Sequence, residues 1–315
     1  MNATPLSLQL DALTVQYPNG TRAVNQLSLT VVPGEVFGLV GPNGAGKSSL
    51  LKCAAGLITP VAGAVRCGDR VVTGDARATA AFVRLMPDPL GVYNDLSAAE
   101  YLEFFARALG VSAAERVAAI NVAVERLELG PWLGHEVETL SAGWQRRLAL
   151  ARVLLADAPI VLLDEPAAGL DVSARSSLLK IVRGIAAEDR TVIITSHILP
   201  ELEQLADRFG IIEHGAWLPV ADSRVFFTPA DLARGFGRAT WRVSCSDPAK
   251  ACAVLGAERA TVAAEPDAIL VHVADRDAAA AAVAELVAAG VKVYSFQPQT
   301  TNLAELTLKT LGHES

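Results

Sequence analysis

A chain of 315 residues is longer than one ordinary domain and fits a large domain with a smaller companion. Half of it is apolar (51%) and only 19% is charged, which supplies a full core and excludes a disordered tail. The net charge of −7 speaks against nucleic acid as a main partner, and the basic pair Arg146-Arg147 is too small to track a phosphate backbone.

No stretch reaches the roughly 18 uncharged apolar residues that a spanning helix needs. The most apolar windows, Leu148 to Ala156 and Ile160 to Leu163, are cut by Arg152 and closed by Asp164. Met1 to Leu10 shows no basic run ahead of an apolar one, and Cys53, Cys67, Cys245 and Cys252 have no CxxC spacing. A cytoplasmic protein in a reducing compartment, without a secretory leader, is predicted.

Residues 6–17 alternate apolar and polar, as half-buried strands do, and Pro18-Asn19-Gly20 is turn chemistry. A second strand is predicted over Leu27 to Val31. Val36 to Val40 is a short unbroken apolar run, the pattern of a strand buried on both faces. A glycine-rich loop and a helix from about Lys47 to Ala55 follow it, which is an α/β nucleotide-site layout. Helix dominates from Ser97 to about Leu155, and Ser97-Ala98-Ala99-Glu100 reads as a capping box. Strands at Ile160 to Leu163 and Val192 to Thr195 flank a helix near 173–187, so a core of parallel strands is expected. The texture changes near Pro229. Beyond it come a strand (Trp241 to Cys245), a helix (Ala249 to Leu255), two strands about Glu265-Pro266-Asp267, a helix (Asp277 to Ala289) and a strand (Val291 to Phe296). That βαββαβ order is ferredoxin-like. A last helix is predicted over Leu303 to Leu311.

Gly41-Pro42-Asn43-Gly44-Ala45-Gly46-Lys47-Ser48 fits GxxxxGK[ST] and sits between a buried strand and a helix, as phosphate binding requires. Glycines let backbone N–H groups turn inward around phosphates, and the helix N-terminus adds positive dipole. Lys47 is placed to reach the outer phosphates of a nucleotide and Ser48 to hold Mg²⁺. Ile160 to Leu163 ends in Asp164-Glu165, and charge on so buried a strand belongs at its exposed carboxyl end. Asp164 is then positioned to order the metal shell, and Glu165 to polarise an attacking water.

Upstream of that strand, Leu140-Ser141-Ala142-Gly143-Trp144-Gln145 resembles the signature segment of ABC-type ATPases. Tyr17, Ala168-Gly169-Leu170-Asp171 and Thr195-Ser196-His197 match further motifs of that family in order, and the resemblance covers about residues 6–217. It implies an α/β fold of P-loop ABC type, with a mixed sheet core over 1–228 and a helical subdomain at about 92–155, and the βαββαβ pattern beyond it adds a small α+β domain over 229–315. It also implies that ATP and Mg²⁺ are the ligands. ATP falls to Tyr17, Gly41, Pro42, Asn43, Gly44, Ala45, Gly46, Lys47, Ser48 and Ser49, and to Ser141, Gly143 and Asp171 acting on a nucleotide held by a second copy. Ser48, Asp164 and Asp88 take the metal, and Glu165, His197 and Lys47 are catalytic. Ser141 is expected to cap the helix that follows it. Tyr17 reads either as an adenine-stacking ring or as a plain strand-end aromatic.

Four departures from the family pattern stand out. Ala142 replaces a glycine, Ala168 a serine, Val172 the proline expected after Asp171, and Asp88, in Met86-Pro87-Asp88, the usual Gln or Glu. Asp88 reads either as a metal-side sensor or as a turn residue between Pro87 and Pro89.

One motif set without a membrane span implies a subunit that drives a separate membrane permease, in a homodimer of nucleotide domains at the inner face of the cell membrane. Gly91 to Gly110 and Thr195 to Glu203 resemble exporter-type ATPases. The rival reading is an ABC protein acting on ribosomes or DNA. Ribosome-acting members usually carry two ATPase domains, and the interval from Ser48 to Leu140 is too short for the coiled coils of DNA-repair members. Tyr101, Phe104 and Phe105 either pack the helical subdomain's own core or line a groove for a cytoplasmic helix of the permease.

Overall fold

The computed structural model describes residues 4–91, 93, 95–196, 202–219, 225–233, 239–256, 259–263, 267–273 and 276–299. The chain divides into two compact units, Met1–Phe226 and Phe227–Ser315.

Two sheets build the first unit. The smaller is antiparallel, in the order β2-β1-β4-β5, from β1 (Leu8–Gln16), β2 (Arg22–Val31), β4 (Ala62–Cys67) and β5 (Arg70–Val71). The apolar beat of β1 slips from Leu8 and Leu10 to Leu13 and Val15, and all four are buried. A register shift between Leu10 and Leu13, with Ala12 at φ 45°, absorbs the extra residue and keeps both pairs on the core face.

The larger sheet, of seven strands, is parallel at its centre and runs β10-β9-β3-β8-β7-β6, from β3 (Val36–Val40), β6 (Val83–Met86), β7 (Ile160–Leu163), β8 (Thr191–Ser196), β9 (Arg208–Glu213) and β10 (Ala216–Trp217), with the two-residue β11 (Phe226–Phe227) off this path. Every residue of β3, β7 and β8 is buried, as expected of parallel strands covered on both faces. The pairings Val40↔Ser196, Leu163↔Ile194 and Met86↔Leu163 bring the carboxyl ends of four strands to one edge. In open α/β sheets that edge is where ligands bind. Helices α1 (Lys47–Ala54), α2 (Ala76–Ala80) and α6 (Val172–Ala186) connect these strands.

Helices α3 (Ala98–Ala108), α4 (Ala113–Arg126) and α5 (Ala142–Leu154) pack on one another. The capping box at α3 forms as predicted: Glu100 N–H donates to Ser97 Oγ (3.2 Å), and Ser97 N–H donates to Glu100 Oε2 (2.9 Å). The aromatics of α3 differ in burial. Tyr101 is fully buried, which pushes its phenol above the ordinary range, and its hydroxyl accepts from Arg152 Nη1 (3.2 Å). Phe104 is 47% exposed and meets the half-exposed Tyr93 edge-on, with ring centroids 5.5 Å apart.

The second unit holds α7 (Pro229–Ala233), then β12 (Ala239–Cys245), α8 (Pro248–Leu255), β13 (Ala260–Val262), β14 (Ala268–Val273), α9 (Arg276–Ala288) and β15 (Val293–Gln299). The sheet order β13-β14-β12-β15, antiparallel throughout, is that of a ferredoxin-like βαββαβ unit. Val243, Ile269, Val271, Ala282 and Leu286 form its core, and Trp241 stacks on Phe296 at 4.4 Å. The helix predicted over Leu303 to Leu311 lies outside the described residues. Among the described residues no helix is long and apolar enough to cross a membrane.

Ser97→Ala removes the reciprocal cap of α3 at a cost of about 1 kcal/mol. In calorimetry the transition that includes α3 is expected to fall by about 2–4 °C.

Candidate functional site

The loop after β3 is shaped by contacts that only glycine permits. Gly46, at φ 110°, precedes α1, and a Cβ there would lie 2.2 Å from the Ala23 carbonyl oxygen. A Cβ on Gly41 would lie 2.3 Å from the carbonyl oxygen of Ile212. The loop therefore lies flat against neighbouring backbone, with the N-terminus of α1 at its end.

Lys47 is only 6% exposed. Its ammonium donates to the carbonyls of Gly41 (2.7 Å) and Pro42 (3.1 Å) and lies 3.6 Å from Glu165 Oε1. Two carbonyls and a carboxylate compensate a cation that burial alone would penalise heavily. Tyr17 and Ser49 share a hydrogen bond of 3.0 Å, which ties the ring to the first turn of α1. Tyr17, Pro42, Asn43, Gly44, Ala45, Gly46, Lys47, Ser48, Ser49, Asp88 and Glu165 together line one cleft of about 320 Å³.

Asp164, next in sequence to the cleft-lining Glu165, is 1% exposed and does not itself line the cleft; its N–H donates to the Met86 carbonyl at 2.9 Å. Glu165 follows with φ 47°, a left-handed backbone that costs a non-glycine residue about 1–2 kcal/mol. Both sides of that backbone are fastened. Its N–H donates to Thr195 Oγ1 (2.8 Å), and its carbonyl accepts from Arg146 Nη1 (2.7 Å). The Thr195 hydroxyl in turn bonds Asp164 Oδ1 at 2.8 Å. Strain held at a carboxylate that faces a cleft is a mark of functional sites.

Asp88 stands at the cleft's rim, 43% exposed, and pairs with Arg146 Nη2 at 3.4 Å. Neither reading of Asp88 from the sequence included this partner. Arg146 and Thr195 were both missed as site residues. A threonine closing an apolar buried strand carried a usable signal, because a buried hydroxyl needs a partner. Arg146 carried none, since its contacts come from chain segments 19 and 58 residues away.

A second cleft, of about 310 Å³, is lined by Ser141, Gly143, Trp144, Arg147, Leu170 and Asp171, among others. Ser141 stands at the N-terminal cap position of α5, but its side chain makes no cap bond, contrary to the expected role. Its hydroxyl thus remains available to the cleft, and the first N–H groups of α5 lack a side-chain cap. The Asp171 carboxylate caps α6, accepting from Ala174 N–H at 2.9 Å. His197 lies outside the described residues.

Among the described residues no cluster of three or more His, Cys, Asp and Glu is arranged to hold a metal. The available donors near the phosphate loop are hard oxygens: the Ser48 hydroxyl and the carboxylates of Asp164 and Asp88. That set suits Mg²⁺, which commonly takes one or two protein oxygens and fills its shell with phosphate oxygens and water.

A glycine loop opening a helix, faced by paired carboxylates across the carboxyl edge of parallel strands, defines a P-loop nucleoside triphosphatase. The sequence model of the ABC transporter family matches residues 24–168. The chain is 31% identical to the daunorubicin/doxorubicin resistance ATP-binding protein DrrA of Streptomyces peucetius, over 99% of this chain and 95% of that one. It is 36% identical to the Nod factor export ATP-binding protein I of Paraburkholderia xenovorans (strain LB400), over 66% and 68% of the two chains. A solved ATP-binding subunit of an ABC transporter superposes with TM-score 0.64 at 26% identity, covering 74% of this chain and 94% of that one. A dimeric bacterial ABC transporter cassette shares the fold with TM-score 0.63 at 22% identity, over 70% and 98% of the two chains. This chain therefore belongs to the ATP-binding proteins of ABC transporters, and it is an ATP hydrolase of that family.

Gly46→Ala is expected to abolish ATP binding, because a methyl group 2.2 Å from the Ala23 carbonyl forces the loop off its backing strand. Calorimetric titration with ATP measures this, with circular dichroism checking that the fold survives.

Proposed function

We propose that this chain powers export through separate membrane-spanning subunits, working as a pair of nucleotide domains at the inner face of the membrane. The observation that carries the proposal is the likeness to the daunorubicin/doxorubicin resistance ATP-binding protein, which runs over 99% of the chain and so takes in both units. In this reading the backbone from Gly41 to Gly46 wraps the phosphates of ATP, Lys47 leaves its loop carbonyls for the outer phosphates, and Tyr17 stacks on adenine while Ser49 steadies it. Ser48 and Asp164 would hold Mg²⁺, with Asp88, which also pairs with Arg146, as a further oxygen donor to it. When bound, the metal neutralises charge on the phosphate oxygens.

Glu165 is the general base that orients and deprotonates the attacking water, and His197 senses the terminal phosphate. The arrangement of two separate clefts supports pairing. Ser141, Gly143 and Asp171 line a surface apart from their own phosphate loop, and it is proposed to close on a nucleotide held by the second copy. Tyr93 and Phe104, about half exposed, offer an apolar edge to a helix of the membrane subunit. The choice of transported substrate falls to that subunit.

Glu165→Gln is expected to keep ATP binding and to slow hydrolysis by about 10²–10⁴-fold, the range for loss of a general base. With ATP and Mg²⁺ present, the same variant should shift from monomer to dimer in size-exclusion light scattering. A variant that stays monomeric even beside its membrane partner removes the pairing.

Asp88→Asn is expected to raise the Mg²⁺ concentration for half-maximal ATPase without altering the fold. An unchanged Mg²⁺ dependence would leave Asp88 as the anchor of Arg146 alone.

A further inference from the structure

We infer that Thr195 is a positioning residue for hydrolysis, with one hydroxyl setting both the metal-side carboxylate Asp164 and the backbone of Glu165. The inference rests on the roles proposed above for those two residues.

Thr195 stands near the end of β8, fully buried, beside the end of β7 that carries both acids. Its Oγ1 lies 2.8 Å from Asp164 Oδ1 and 2.8 Å from the Glu165 backbone nitrogen. A backbone N–H can only donate, so the hydroxyl accepts from Glu165 and its single proton goes to Asp164. No other orientation of this rotor satisfies both bonds. Asp164 is thereby held from one oxygen, and the other is left for the metal shell.

Glu165 has more need of a fixed partner than an ordinary residue. Its left-handed φ of 47° lacks the support of a glycine, and the bonds from Thr195 and Arg146 clamp the two peptide groups that flank it. Loss of the Thr195 acceptor would remove one of the two bonds that hold this strained backbone in place. Thr195 touches neither nucleotide nor water in this account and acts only through its two neighbours. Outer-shell partners of this kind commonly change metal affinity or activity by about 10- to 100-fold when removed.

The test compares T195V, T195A and T195S with wild type in the purified full-length chain. AMP-PNP binding is measured by calorimetry in excess EDTA and then across a Mg²⁺ titration, and ATPase is assayed in parallel. T195V and T195A are expected to bind AMP-PNP like wild type in EDTA. The Mg²⁺ needed for half-maximal tightening should rise about 10- to 100-fold, and kcat should fall alongside it. T195S, which keeps the hydroxyl, should follow wild type.

Wild-type Mg²⁺ dependence in T195V overturns the inference. So does a T195S as impaired as T195V, which would assign the effect to the buried methyl. If T195V and T195A both fail to bind in EDTA while T195S binds, the hydroxyl serves the fold and not the metal, which also counts against it. The site reading fails by a different sign: Lys47→Ala would bind AMP-PNP as tightly as wild type.

Discussion

Hydrogen-bond register between parallel strands is the constraint on which the site depends. β3, β7 and β8 are buried along their whole length, so none can carry a charge except where it ends. Because β3 pairs with β8, β8 with β7 and β7 with β6, the ends arrive at one edge with fixed offsets. Gly41, Thr195, Asp164 and Asp88 belong to four distant stretches of sequence, and no local preference could bring them together. The apolar strands fix the place, and the residues just past their ends inherit it.

Polar groups gathered at such an edge must satisfy one another, and they do so as a connected set. Lys47 rests on two loop carbonyls and faces Glu165. Glu165 is fastened through its backbone to Thr195 and Arg146, Thr195 to Asp164, and Arg146 to Asp88. In a low-dielectric setting the buried members of this set are stronger than in water, and a missing partner is more costly there; the Arg146–Asp88 pair lies at its exposed rim. The aspartate that replaces the family's usual Gln or Glu at position 88 fits this pattern, since it meets the Arg146 side chain, only 12% exposed.

Several elements could be read from the sequence because their signals are local. The apolar runs of β3, β7 and β8, the glycine loop, the Ser97–Glu100 box and the element order of the second unit all lie within short windows. β4, β5, β6 and β9 gave no such signal. β6 is interrupted by Arg84, β5 has two residues, and β9 is broken by Gly210, whose missing side chain makes room for the Trp217 and Phe37 rings. The slip in β1 between Leu10 and Leu13 becomes intelligible only once a partner strand is present to be bulged against. The same holds at the site. Lys47, Ser48, Asp164 and Glu165 belong to motifs, whereas Arg146 and Thr195 gain their importance from contacts 19 to 58 residues apart. The Ser141 side chain was misjudged for a related reason. Helix capping is a local rule, and nothing local distinguishes a serine that caps from one whose hydroxyl is left to a cleft.

Helix α5 joins the two clefts mechanically. It begins at Ser141 on the wall of the second cleft and reaches the first through Arg146, about 7–8 Å further along its axis. Arg146 there grips the carbonyl of Glu165 and the carboxylate of Asp88, so a shift of α5 along or about its axis pulls on both. Packing at near-crystalline density leaves little slack to absorb such a shift. One helix therefore carries both a wall of the second cleft and the guanidinium that holds the strained backbone of Glu165.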